Sequence, residues 1–185
     1  MPLRISFNLG DADLQHFEQV AQQTQASARQ RSAEVIVAAA REVLEGAERA
    51  QLADFVKERF ERLRCVLSMA TDADWPLGAE DNQRISNALA CFAPPASGAT
   101  SASFLDHAIM IELVSRDLEH DLAAYRDFCK FRESLIARGR FDADQKARWL
   151  GQRCTVLQER MHKRRKRALD AAGSSVRKLF SLFGL

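Results

Sequence analysis

Apolar positions recur along most of this chain at intervals of three and four. Leu52, Val56, Phe60, Leu63 and Leu67 follow one another in this way, which places their side chains on one helix face. The pattern predicts a helix over 49–70. The same spacing predicts a first helix through Leu14, Phe17 and Ala21, with Asp11 as its cap. A second should follow Ser32, with Ile36, Ala40, Val43, Leu44 and Ala47 inward and Gly46 weakening or ending it. Ile85, Ala88, Leu89 and Phe92 mark a short helix. The longest stripe, Ile111, Val114, Leu118, Leu122, Tyr125, Cys129 and Ile136, predicts one long helix over 104–138. Beyond Gly139, Asp142 can cap a further helix carrying Leu150, Cys154, Leu157 and Met161.

One segment departs from this rhythm. Leu3, Ile5, Phe7 and Leu9 alternate with other residues, the period of a strand. No second strand pattern follows, and a lone strand leaves its backbone groups unpaired. The segment is expected to lie extended across helices, with a ribbon between two chains as the other arrangement. Turn residues punctuate the rest: Trp75-Pro76 within 71–78, a Pro/Gly/Ser/Ala loop at 93–103, and Gly173-Ser174-Ser175 as a hinge. The expected fold is all-α, a single-domain bundle of six or seven helices around a long central helix, with a short extended N-terminal segment. Residues 1–138 form its body and 139–185 a basic arm.

Composition supports the helical reading. Eight Gly and four Pro in 185 residues leave little turn material for an all-β fold. The apolar share of 46% is enough for a sizeable core. No stretch is long and apolar enough for a membrane span, and the first residues do not read as a secretory signal. Cys65, Cys91, Cys129 and Cys154 are widely spaced and fall on or beside apolar stripes. They are expected to be reduced thiols in a cytoplasmic protein.

Charge changes the picture more. Residues 136–185 hold 13 Lys/Arg against 4 Asp/Glu, a balance of +9; the other 135 residues hold 14 against 21, a balance of −7. An acidic body thus carries a basic arm, which points to an anionic partner or to docking of the arm on protein.

Three stretches carry a family likeness: ISFNLGDADLQHF, then the segment 55–70 leading into DADWPL and ISNALACF, then FLDHAIMIELVSRDLEHDLAAYRDFCKFRE. Together, over roughly residues 3–135, they resemble the longer members of the YkvA family, a domain of unknown function. The resemblance implies bacterial origin and a helical fold, and it implies no agreed activity. The family's recognisable loop has the form Asp-x-Ile-Pro-Asp, followed by a Leu-Asp-Asp step. Here the loop reads APPASGATSASFLDHAIM, so its acids are gone and the Asp-Asp step has become Asp106-His107. If those acids carry a family activity, this member has lost or altered it.

The sharpest chemical candidate pairs Asp13 with His16 and Asp117 with His120. A carboxylate and an imidazole three apart share a helix face, and two such pairs resemble the Glu-x-x-His pairs of di-metal bundles. Asp106, Glu112 and Asp121 could bridge the ions. Against this, Asp and His at that spacing are common surface pairs, so no cofactor is expected and a divalent metal is the alternative. Asp106 is better read as a helix cap favoured by the dipole. No Gly-rich phosphate loop or nucleophile elbow is present, so no small-molecule substrate is identifiable. Cys91 and Cys129 read as inert core thiols.

The strongest local feature is the run His162-Lys163-Arg164-Arg165-Lys166-Arg167. On a helix these residues point all round, so they cannot all meet one partner. Lys163, Arg164, Arg165, Lys166, Arg167, Arg177 and Lys178 are the candidates for an anionic partner, and Val176, Leu179, Phe180, Leu182 and Phe183 for an apolar face toward membrane or protein. A polybasic patch beside an amphipathic tail has the form of a two-signal peripheral anchor. No aromatics interleave the run, as stacking on single-stranded nucleic acid would want. The expected role is a non-enzymatic interaction or adaptor protein in the cytoplasm, peripheral on the inner membrane face or bound to a protein partner or a second copy. The rivals are a metal-dependent enzyme and a nucleic-acid-binding regulator.

Overall fold

The computed structural model describes residues 10–28, 31–92, 103–139 and 142–171. The N-terminal alternating segment, most of the 93–103 loop, the Gly173 hinge and the tail with Val176, Arg177, Lys178, Leu179, Phe180, Leu182 and Phe183 lie outside the described residues. Among the described residues the chain is all helical: α1 (Asp11–Ala28), α2 (Ala33–Arg49), α3 (Asp54–Thr71), α4 (Ala79–Ala90), α5 (Phe104–Asp117), α6 (Glu119–Arg138) and α7 (Ala143–Ala171). No helix among them is long and apolar enough to cross a membrane.

The predicted apolar stripes bury as a single core. α3 packs against α2, α4, α5 and α6; α6 packs against α7; α1 rests on α4. Phe128, Leu63, Ile111 and Trp75 are among the most completely enclosed side chains. Trp75 stands 5.7 Å from the Tyr125 ring and 5.0 Å from that of Phe128, so the turn sends this one ring into the core while Pro76 stays exposed. The basic stretch to residue 171 is no separate arm in packing terms, because Leu150, Cys154, Leu157 and Met161 of α7 join the same core.

Local chemistry sets several helix ends. The Ser32 hydroxyl accepts from the Val35 N–H at 3.4 Å. Ser103 and Asp106 form a full capping box: the Asp106 carboxylate accepts from the Ser103 N–H at 2.9 Å, and the Ser103 hydroxyl accepts from the Asp106 N–H at 3.2 Å. α6 stops at Gly139, whose φ of 67° is a left-handed conformation that glycine adopts without strain. At α1 the cap sits one residue earlier than predicted. Gly10 precedes the helix, and Asp13 accepts from its N–H at 3.0 Å. α2 runs through Gly46 to Arg49, and Gly46 lies beside the Phe104 ring, 3.7 Å from where a Cβ would stand.

The helix predicted over 104–138 is interrupted at Leu118, whose backbone (φ −96°, ψ 15°) leaves the helical range. At the break a side chain from another helix bonds the backbone. Arg84 of α4 donates through Nη2 to the Asp117 carbonyl at 3.1 Å, and a group inserted at a helix carbonyl is a recognised source of helix breaks. Beyond the break the buried face passes through Tyr125, Phe128 and Leu135, while Ile136, predicted inward, is 60% exposed.

Candidate functional site

Polar residues occupy several inward positions where apolar ones are the rule. On α4, Asp81 and Arg84 precede Ile85 and Ala88 on one face, and all four are buried. On α6, Asp121 is 1% exposed. On α7 the stripe Leu150, Cys154, Leu157, Met161 continues by one more turn onto Arg165, which is also buried. These residues meet where α4, the α5–α6 break and α7 converge. Arg84 donates through Nη1 to Asp121 Oδ1 at 2.9 Å. Arg165 donates through Nη1 to Asp81 Oδ1 at 2.8 Å, lies 3.5 Å from Asp121 Oδ1, and donates through Nη2 to Glu80 at 3.2 Å. His162 Nε2 lies 2.7 Å from Asp81 Oδ2. Since a carboxylate only accepts, that nitrogen carries the proton.

The network is electrically unequal. Burial works against the Asp81 charge, but hydrogen bonds from Arg165 and His162 outweigh it and hold the carboxyl below its ordinary range. Burial pushes Asp121 upward, and Arg84 and Arg165 offset only part of this. Asp117 is pushed by burial up to about 7, with only Arg84 opposing. The Oδ2 atoms of Asp117 and Asp121 are buried without a hydrogen-bond partner among the described residues. Two buried aspartates against two buried arginines balance, so Asp117 is the excess acid, and burial favours its protonated form.

A second cluster holds the other end of α6. Asp72 accepts from Tyr125 Oη at 2.7 Å, from Arg132 at 2.7 and 2.9 Å, and from the Asp74 N–H at 3.0 Å. Burial and the Asp72 hydrogen bond push the Tyr125 hydroxyl pKa up. Burial disfavours the Arg132 charge, yet Asp72 more than compensates and pushes its pKa up. Arg132 also lies over the Phe128 ring at 5.4 Å. Asp72 therefore works as a clamp between the end of α3 and α6.

The basic run divides by burial and contact. Arg165, predicted to meet an anionic partner, is 8% exposed and spent on Asp81, Glu80 and Asp121. Lys163, Arg164, Lys166 and Arg167 are exposed. None of the four pairs with a carboxylate among the described residues.

The four metal candidates have separate surroundings. Asp13 caps α1, and His16 is exposed with its ring edge-on to Phe17 at 5.7 Å. Asp117 ends α5 beside Arg84, and His120 is half-buried in the first turn of α6. Among the described residues no group of three or more His, Cys, Asp or Glu is placed to hold a metal ion. Of the proposed bridging carboxylates, Asp106 serves the capping box, Glu112 pairs with Arg62 at 2.8 Å and Arg59 at 3.3 Å, and Asp121 pairs with Arg84.

The chain matches no family model, no curated protein and no solved structure.

All four cysteines are free, Cys91 and Cys154 buried, Cys65 and Cys129 half-buried. Burial raises the Cys65 thiol, and it raises that of Cys154 to about 11, the opposite of what an activated nucleophile needs. The sequence reading passed over Asp81 and Arg84, and it offered Asp121 only as a bridging carboxylate. Their signal was present as charged residues standing at inward positions of an apolar stripe, which demands a partner from another helix.

Proposed function

We propose that this chain is a non-enzymatic interaction protein that engages an anionic partner through the exposed cations of α7. One observation carries the reading. Lys163, Arg164, Lys166 and Arg167 stand in solvent without a carboxylate partner among the described residues, while Arg165 of the same run is buried against Asp81 and His162 reaches the same carboxylate from an exposed position. α7 as a whole has nine Lys/Arg against three Asp/Glu, a balance of +6. A helix fixed along its inner face holds that charge in a constant orientation, so a partner meets it without further ordering of the backbone. The free cysteines fit a reducing, cytoplasmic setting. The likeness of residues 3–135 to longer YkvA members supports a shared helical body, to which this chain adds α7 and its tail.

The test is binding of the full chain to three polyanions, namely anionic vesicles, duplex DNA and heparin, over a salt series. The expected result is salt-sensitive binding to at least one, weakened by about tenfold or more when Lys163, Arg164, Lys166 and Arg167 are all changed to Ala. Absence of binding to any of the three at low salt overturns the reading.

A further inference from the structure

The outer face of α7 carries more than charge. Trp149, Val156, Arg160, Lys163 and Arg167 recur at intervals of seven, four, three and four, so they line one face of the helix. Trp149 is 37% and Val156 40% exposed, two of the few large apolar side chains on the described surface. Arg160, Lys163 and Arg167 are exposed along the C-terminal half of the same line. At 1.5 Å per residue the line from 149 to 167 is about 27 Å long. Leu150, Cys154, Leu157, Met161 and Arg165 fix the opposite face in the bundle. The buried stripe therefore fixes the rotation of the helix and keeps the line on its exposed side.

We propose that this face is a docking surface for an anionic lipid bilayer, with the axis of α7 parallel to the membrane plane. The proposal rests on the anionic-partner reading above and names the partner. Arg160, Lys163 and Arg167 meet headgroup phosphates, with Arg164 and Lys166 beside them. Trp149 and Val156 enter the boundary between headgroups and acyl chains. The pairing of the two kinds of side chain decides for lipid. A nucleic-acid backbone offers nothing to an exposed Val and Trp at one end of a basic line, whereas a bilayer surface takes up both. A tryptophan ring, apolar in body with one polar N–H, is suited to that boundary. Glu159 and Asp170 are the exposed acids on this half of α7, and they leave the cations in excess. The anchor is thus a face of the folded domain, a different device from insertion of the C-terminal tail.

The structure also supplies the reporter. Of the two tryptophans, Trp75 is 1% exposed in the core and Trp149 lies on the proposed face. The experiment mixes the full chain with phosphatidylcholine vesicles, with or without phosphatidylglycerol. It reads co-sedimentation, tryptophan emission and quenching by brominated lipid. Binding is expected only with phosphatidylglycerol, with a blue shift and quenching that Trp149→Phe abolishes. Combined Arg160→Glu, Lys163→Glu and Arg167→Glu should lower partitioning by about tenfold or more, with the circular dichroism of the free protein unchanged. The combined Gln variants serve the same purpose should the Glu set fail to fold. Vesicle binding that ignores these substitutions, or leaves Trp149 unquenched, overturns the proposal. Binding to duplex DNA or heparin without binding to vesicles overturns the lipid assignment and leaves the anionic-partner reading standing. Binding to none overturns both.

Discussion

Six consecutive residues of α7 behave as two groups. His162 and Arg165 turn toward the bundle, where Asp81 meets both at 2.7 and 2.8 Å. Lys163, Arg164, Lys166 and Arg167 turn to solvent. The difference lies in which side chains reach the acids at the start of α4, since Asp81 and Glu80 are met by His162 and Arg165. A run of basic residues is therefore not one functional unit. Its inward members hold the helix in place, and that fixed helix presents the outward members.

The inward group also contrasts with the Asp72 cluster. Both Asp72 oxygens are hydrogen-bonded, by Tyr125, Arg132 and the Asp74 N–H. At the α4–α7 junction Asp117 and Asp121 each keep one buried oxygen without a partner among the described residues. A buried cluster with an excess acid couples stability to protons.

The sharpest way to break the contrast is Arg165→Ala. It removes one cation from Asp81 and Asp121, which keep His162 and Arg84, and losing one partner of a buried ion pair costs about 3 kcal/mol here, the low end of the usual range. Urea unfolding should show that loss, and a change under 1 kcal/mol would mean that Arg165 is not held inside. Next in size is Asp72→Asn, which weakens charge-assisted hydrogen bonds to Arg132 and Tyr125 and should cost about 2 kcal/mol in the same assay.

The pH effect follows. Asp117 titrates at about 7 in the folded chain and near the ordinary carboxylate value of about 3.9 in the unfolded chain. Between those values the folded state binds the extra proton, so this group lowers stability as pH rises through the window. Asp81, with its depressed value, acts in the opposite sense and withdraws its stabilisation only as pH falls below the ordinary carboxylate range. Asp117→Asn should flatten the decline between about pH 4 and 7 and stabilise the protein at about pH 8. An unchanged pH profile would remove Asp117 from the account. Smallest of all, Lys163→Ala and Lys166→Ala should each change stability by no more than about 0.5 kcal/mol, while both weaken polyanion binding.

Much of the fold was legible because the stripes are strong. Ile36, Ala40, Leu44 and Ala47 of α2, and Val56, Phe60, Leu63 and Leu67 of α3, are all buried as their spacing demanded. The features that were not legible depend on contacts between helices. The apolar period runs without a gap through Val114, Leu118 and Leu122, so nothing local marks the break at Leu118; it involves Arg84, more than thirty residues earlier. Gly46 continues its helix beside Phe104. Ile136 lies at the C-terminal end of α6, where the buried position is Leu135. The site was half legible. Adding one turn to the stripe that ends at Met161 lands on Arg165, so its inward position could be read, but its partners on α4 and α6 come only from the fold.

Arginine modification by phenylglyoxal, followed residue by residue by mass spectrometry on the native protein, tests the division of α7 most directly. Arg164 and Arg167 should react quickly, while Arg165 between them stays protected until the protein unfolds. Reaction of Arg165 at the same rate as its two neighbours would contradict the division and the docking surface built on it.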